Sequence, residues 1–437
     1  MTAGLTNWAG NVTFSAQRLH RPVSVAEVQR LVAASEHVRA FGTGHSFNRI
    51  ADSPGDLVSL AEIPPTMDID SARWRVKVSA GIHYGELSGH LNSSGFALPN
   101  LASLPQISVA GACATGTHGS GDANGSLATA VSAMEMVTAD GDLVTISRDA
   151  DGGFHGDGFH EDGLQGGDFH GAVVGLGALG IVTSLTLDVI PAFEIRQVVY
   201  ENLPREQVDD HFDLIFGGAY SVSLFTDWRG PRFNQLWLKH RAGEYSDRKP
   251  QQEFLGARLA DGPRHPVRGM PPAYATQQMG VPGPWHERLP HFRPEFTPSA
   301  GTELQSEYLL PRAHATEAIA ALDQIRDSVA SVLQISEIRT IAPDDLWLSP
   351  SYQRETVGFH FTWIEDIRAV VPAITAVEER LAPFHARPHW GKLFATSPGT
   401  LCGLYERLPD FQRLMRRYDP AGKFRNEFID RHVAADR

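Results

Sequence analysis

Cysteine is nearly absent: 437 residues contain two, Cys113 and Cys402. A disulfide framework is therefore excluded as the source of stability, and no C-x-x-C or Cys/His zinc spacing occurs. Positive charge is also scarce, with 38 Lys+Arg against 51 Asp+Glu and a formal net charge of −13. No basic run of five residues appears, so the electrostatic footprint of a nucleic-acid or anionic-membrane binder is missing. No stretch of 18 apolar residues could span a bilayer. The first residues, MTAGLTNWAGNVTF, lack the basic and apolar regions of a secretory signal. These absences predict a cytoplasmic chain without nucleic-acid or membrane partners. What is present is a hydrophobic content of 42%, enough to bury a sizeable core in two or three domains.

Residues 21–35, RPVSVAEVQRLVAAS, predict a helix. Ser24 and Glu27 form an S-x-x-E capping box, and Val25, Val28, Leu31 and Val32 share an apolar face. A strand over 37–41 follows, then further strands at 57–60 and 74–81, a short helix at 84–95, and a hairpin at 133–147 turning at Asp140-Gly141. Residues 151–170 hold seven glycines, five acids and no Lys or Arg, which predicts an exposed insertion. His155, Asp157, His160 and Glu161 fall there, but so glycine-rich a segment cannot hold metal ligands rigidly, and no metal is expected. Gly175-x-Gly177-x-x-Gly180 matches a dinucleotide fingerprint as a string. The residues after it, IVTSLTLDVI, alternate like a strand, whereas that fingerprint must open a helix, so nicotinamide binding is rejected. Composition shifts near 191 toward aromatic and proline residues, which places a domain boundary there.

Two further glycine clusters carry the chemistry. GTGHSFN at 42–48 sets His45 in a bare loop after an αβ unit. The stretch from Gly111 to Ser126 interleaves small residues with Thr115, Thr117, His118 and Ser120. Uncovered backbone N–H groups and hydroxyls suit phosphate oxygens, and without G-K-[ST] the segment is no Walker loop. In the C-terminal half, SEIRT and GFHFTW read as strands. Alternation puts Glu337 with Arg339, and His360 with Thr362, on polar faces backed by Ile338, Phe359, Phe361 and Trp363. The bland version is an antiparallel sheet with one wet side; the functional version lines a cavity.

GTGHSFN, ATGTHGSG (114–121) and GALGIVTSLTLDV (177–189) resemble the FAD-binding domain of the vanillyl-alcohol-oxidase superfamily. TNWAGN (6–11), NLASLP (100–105), EIRT (337–340), HFTW (360–363), HWGK (389–392) and DPAGKFRNEF (419–428) are similar to its alditol-oxidase branch, which is related to the sugar-lactone oxidases. The resemblance covers nearly the whole chain in order, with 151–170 as its main departure. It implies an α+β flavoprotein: a PCMH-type FAD-binding domain over 1–190, a substrate-binding domain with an antiparallel sheet over 191–392, and a segment, 393–437, returning to the first domain.

The resemblance further implies FAD joined through its 8α-methyl group to His45. Thr43, Gly44, Ser46, Phe47, Ser103, Ser108, Gly111, Thr115, Gly116, Thr117, His118, Gly119, Gly180, Ile181, Val182, His389 and Asn426 would surround it. No cysteine matches a second covalent link, and Cys113 is expected only to pack. The implied substrate site is Ser103, Glu337, Arg339, His360, Thr362 and Lys392, with Glu337 and Arg339 as an ion pair. The implied reaction converts the terminal primary alcohol of a sugar alcohol, such as xylitol or sorbitol, to the aldose while O2 becomes H2O2. Lys392 and His360 are both candidates for the base, and Arg339 and Lys392 for stabilising a developing alkoxide. A sugar-1,4-lactone oxidase or dehydrogenase is the alternative activity, and the chain is expected to be a monomer.

Overall fold

The computed structural model describes residues 4–149, 168–243, 250–295 and 302–434. The possible metal ligands His155, Asp157, His160 and Glu161 lie outside them.

The first helix spans Val25–Ala34. Ser24 accepts a hydrogen bond from the Glu27 N–H, and Val28 and Val32 are fully buried. It connects strands of a parallel three-stranded sheet, Arg18–His20, Asp56–Val58 and Val38–Ala40 in spatial order. The chain then builds an antiparallel five-stranded sheet in the order Met67–Asp70, Arg75–Ser79, Ile181–Asp188, Val131–Val137, Leu143–Ser147. The expected hairpin is its edge. The G-x-G-x-x-G string opens the strand Ile181–Asp188 and not a helix, as its alternating residues require. Gly177 there takes φ +67°, and the Arg39 guanidinium donates to the carbonyls of Leu176 and Gly177, pinning the turn.

The exposed-insertion expectation fails at its end. Asp168–Ala172 is helical, Phe169 is buried, and Trp347 N–H donates to the His170 carbonyl. The cause is an aromatic ring that has a core to join, which composition averaged over 151–170 hides.

Apart from a two-stranded ribbon of Phe96–Ala97 and Ile190–Pro191, the remaining strands form one antiparallel sheet. Its centre runs Glu194–Pro204, Arg232–Arg241, Ser221–Thr226, Leu333–Ile341, Thr356–Trp363, Leu304–Pro311. Helices Arg205–Phe216, Ala315–Asp323, Arg326–Val332 and Ile367–Leu381 cover one face, packing on Leu224, Ile338, Phe359, Phe361 and Trp363. That leaves the other face of the sheet for the site. The C-terminal helices return to the first core, where Leu401, Phe411, Leu414 and Ile429 join Val76, Leu87 and Leu187.

Candidate active site

A cavity of about 650 Å³ lies where the glycine loops of the N-terminal half meet the open face of the large sheet. Its first wall is the loop carrying His45. Gly44 takes φ +71°, a conformation that favours glycine. Trp8 N–H donates to the Gly44 carbonyl (2.8 Å), and the Asn7 and Asn11 amides donate to the carbonyls of Ser46 (2.9 Å) and Phe47 (2.8 Å). TNWAGN is therefore the brace of this loop. On its other side Phe47 N–H donates to Gly391 O (2.7 Å), and Asn48 Nδ2 donates to Lys392 O (2.7 Å). The loop with the histidine and the segment with the lysine thus share one hydrogen-bonded seam.

The His45 ring stacks on Trp8, with centroids 5.2 Å apart and planes 18° apart, and its Nδ1 lies 2.9 Å from Thr43 Oγ1. Burial first, then nearby His83, lowers its pKa to about 4. The imidazole is accordingly neutral near pH 7, the form with a nucleophilic nitrogen.

The second wall is the cluster around 108–118. Ser108, Gly111, Thr115, Thr117 and His118 line the cavity, as do Gly180 and Val182 at the start of the neighbouring strand. A Cβ on Gly42 or Gly111 would fall 2.7 or 2.8 Å from Ser108 Oγ, so both positions are kept bare next to a hydroxyl. The cluster is tied to the large sheet: Gly121 N–H donates to the Thr340 carbonyl at 2.9 Å, beside Arg339.

Four residues expected around the cofactor do not line this space. Gly116 faces Pro350, and Gly119 is pressed against Asn100 and the Leu101 carbonyl. Ile181 points to the opposite face from Val182 and is fully buried in the core with Val28 and Val137. Asn426 is consumed by structure, donating to the carbonyls of Arg49, Ile50 and Asp52 and capping a helix at Ile429. Thr43, Ser46, Phe47, Ser103 and His389 do line it.

The third wall is ionic. Cross-strand register sets Glu307 opposite His360, and His360 opposite Glu337. Arg339 Nη2 donates to Glu307 Oε1 at 2.7 Å, whereas Arg339 Nε is 3.6 Å from Glu337 Oε1. The expected Glu337–Arg339 pair is thus the weaker one; Arg339 is bound by an acid on a strand two places away. Lys392 Nζ bridges Glu307 Oε2 and His360 Nδ1, both at 2.7 Å, and His360 Nε2 lies 3.1 Å from Thr362 Oγ1. Arg339 Nη1 also reaches Ser103 Oγ at 3.4 Å. Ser103, Glu337, Arg339, His360, Thr362 and Lys392 are therefore brought together. Lys392, which a bland reading leaves on the surface, has only 14% of its side chain exposed.

Burial works against the Glu307 carboxylate, yet Lys392, His118 and Arg339 hold it well below the usual carboxylate range. Burial lowers the Lys392 pKa, and burial followed by the Lys392 charge lowers His360 to about 4. Sequence reasoning missed Glu307, Lys239 and His291. The signal for Glu307 was present: in LQSEYLLP, alternation puts Gln305 and Glu307 opposite a face holding Leu304, Tyr308 and Leu310.

The residues fit a bound FAD. Glycine positions open the approach, and hydroxyls and a neutral imidazole line it. Arg339 Nε is a buried donor with no hydrogen-bond partner among the described residues. An unpaired buried donor is costly unless a ligand atom completes it.

Two family models and several known proteins match the chain. Residues 16–147 match the FAD binding domain family, and residues 302–432 match the D-arabinono-1,4-lactone oxidase family. The chain is 51% identical to an alditol oxidase from a Streptomyces species, over 98% of this chain and 99% of that one. It is 27% identical to an L-gulono-1,4-lactone dehydrogenase of Mycobacterium tuberculosis, over 98% of each chain. In three dimensions it resembles a solvent-stable cholesterol oxidase, with a TM-score of 0.76 at 14% identity over 98% of this chain and 97% of the other, a likeness of fold.

Proposed function

The chain belongs to the alditol oxidase family, and from that premise we propose that it is an FAD-dependent oxidase of sugar alcohols. It converts the terminal primary alcohol of a polyol such as xylitol or sorbitol to the aldose, with O2 reduced to H2O2. The observation carrying this reading is the ionic wall: Glu307, Glu337, Arg339, His360, Thr362 and Lys392 present donors and acceptors in one cavity lined also by His45. A neutral, hydroxyl-covered chain needs both kinds of partner.

Bound FAD supplies the acceptor for the hydride that leaves the carbinol carbon. His45 is its tether, supported by the stacked, neutral imidazole in a bare loop. Gly42, Gly44, Ser108, Gly111, Thr115 and Thr117 hold the rest of it, given their place around the cavity.

The chain's own residues manage the proton. Lys392 donates one N–H to Glu307 Oε2 and one to His360 Nδ1, which the neutral amine does with its lone pair still free, so the His360 ring proton sits on Nε2 toward Thr362. His360 thereby has no lone pair left for the alcohol. Lys392, its pKa lowered by burial, is the group that takes the hydroxyl proton in its neutral fraction. Arg339 Nε donates to the oxygen as charge develops there, and Glu337 accepts from a hydroxyl farther along the polyol.

The same reading takes the protein as a cytoplasmic monomer; no helix among the described residues is long and apolar enough to cross a membrane. Steady-state rates on C4–C6 polyols and on L-gulono-1,4-lactone, each with O2 and with an artificial acceptor, test it. Faster turnover of the lactone than of every polyol would reverse the assignment.

A further inference from the structure

Behind Glu337 lies a buried chain of groups that the reaction above does not use. Lys239, on the strand Arg232–Arg241, is 1% exposed. Its Nζ meets three acceptors: the carbonyls of Leu289 and Pro290 (the second at 3.3 Å) and His291 Nδ1 at 3.1 Å. An ammonium, with three N–H donors, satisfies all three contacts when Nδ1 is bare, whereas a neutral amine would satisfy them only by accepting from a protonated Nδ1. Burial opposes that charge and lowers its pKa to about 7, while Glu337 supports it.

A neutral imidazole carries one proton. That proton is on Nε2, which lies 2.7 Å from Glu337 Oε1, because an ionised carboxylate can only accept; Nδ1 is therefore bare and takes a Lys239 N–H. Ser223 Oγ, 3.3 Å from the same nitrogen, is the weaker partner. Burial lowers the His291 pKa to about 4 against the opposing pull of Glu337, with Lys239 and Arg339 adding to the lowering, so the ring stays neutral. It is boxed by Phe225, Trp237 and Phe292, at centroid distances of 5.6, 5.3 and 6.2 Å, and cannot swing away. His291 and Phe292 N–H groups also donate to the Ser103 carbonyl, which seats this segment against the substrate wall.

We propose that Lys239 and His291 are positioning residues: Lys239 fixes the His291 tautomer, and His291 Nε2–H holds Glu337 Oε1 so that Oε2 is left to accept a substrate hydroxyl. The role rests on the reading of the cavity as a polyol site. It locates the device in binding a hydroxyl beyond the reacting carbon, so it acts on KM more than on kcat.

The test uses the flavin-loaded protein with xylitol. His291→Phe keeps a ring in the aromatic box and removes the donor. KM is expected to rise about 10- to 100-fold, the worth of a hydrogen bond to a charged group, with kcat changed far less. Lys239→Met should move KM the same way. His291→Gln, whose amide can accept from Lys239 and donate to Glu337, should return KM to within about threefold of wild type, a recovery no packing role predicts. A KM for His291→Phe within twofold of wild type, or no recovery with Gln, overturns the proposal. Should the Phe variant lose flavin, imidazole 15N shifts of the wild-type holoenzyme decide, the His291 signals being those absent from His291→Gln. A bare Nδ1 and protonated Nε2 are expected; the opposite tautomer or a doubly protonated ring overturns the proposal. If no polyol reduces the wild-type flavin, the polyol reading fails, while the tautomer result stands separately.

Discussion

Replacing Lys392 by Met is the most direct perturbation of the ionic wall. The substitution keeps an unbranched apolar stem and removes the ammonium that bridges Glu307 and His360. General-base assistance is worth about 10²–10⁴ in rate, or about 2.7–5.5 kcal/mol of barrier. The rate at which xylitol bleaches the flavin, followed anaerobically by stopped flow, should fall by that factor. Flavin content should not change, because the glycine loops and His45 are untouched. Stability is the second readout. Breaking a buried pair costs about 3–5 kcal/mol when the remaining charge is stranded. Glu307 is only partly stranded, since Oε1 keeps Arg339 at 2.7 Å and His118 at 3.2 Å. The loss should sit near the lower bound. Adding Glu307→Gln removes the surplus negative charge, so the double variant should regain melting temperature and none of the rate. Flavin reduction by Lys392→Met within tenfold of wild type, or recovery of rate in the double variant, would refute the assignment of the base.

Other consequences are equally open to measurement. His45→Ala should leave a folded protein whose flavin appears in the supernatant after acid precipitation, whereas wild type should retain colour in the pellet; release from wild type too removes the tether. Gly119→Ala puts a Cβ 2.3 Å from the Leu101 carbonyl, so backbone must move, and thermal denaturation should show a loss of about 1–3 kcal/mol or more. Gly89→Ala, in the helix Tyr84–Ser93 with nothing within 4 Å of the new methyl, should instead gain about 0.5–1 kcal/mol. His291 and His360 have folded pKa values of about 4 against a reference of 6.5. The unfolded chain therefore binds protons first on acidification. The stability these burials contribute is complete above pH 6.5 and is lost as pH falls toward 4, on the order of a few kcal/mol in all. Melting temperature should drop across that window, and a flat profile from pH 7 to 4.5 contradicts neutral burial of the imidazoles.

Local signals carried much of this architecture into the sequence. The capping box at Ser24 and Glu27, the strand-like alternation after Gly180 and the polar faces of SEIRT and GFHFTW are effects of near neighbours, and each appears where the pattern placed it. What stayed hidden is what depends on register between distant strands. Glu337 and Arg339 share a face two residues apart, so a pair between them is the natural expectation. Their carboxylate and guanidinium are nevertheless 3.6 Å apart, because Glu307, two strands away, takes the shorter contact. The reach passes over Gly358, opposite Arg339 in the intervening strand. The same physics explains why Asn426 and Ile181 do not line the cavity: a side chain's task follows from which carbonyls and which core it meets after folding. The wall is therefore a property of sheet order. Any change that slipped the strand Leu304–Pro311 by one residue would turn Glu307 into the helix-covered core and strand both cations at once.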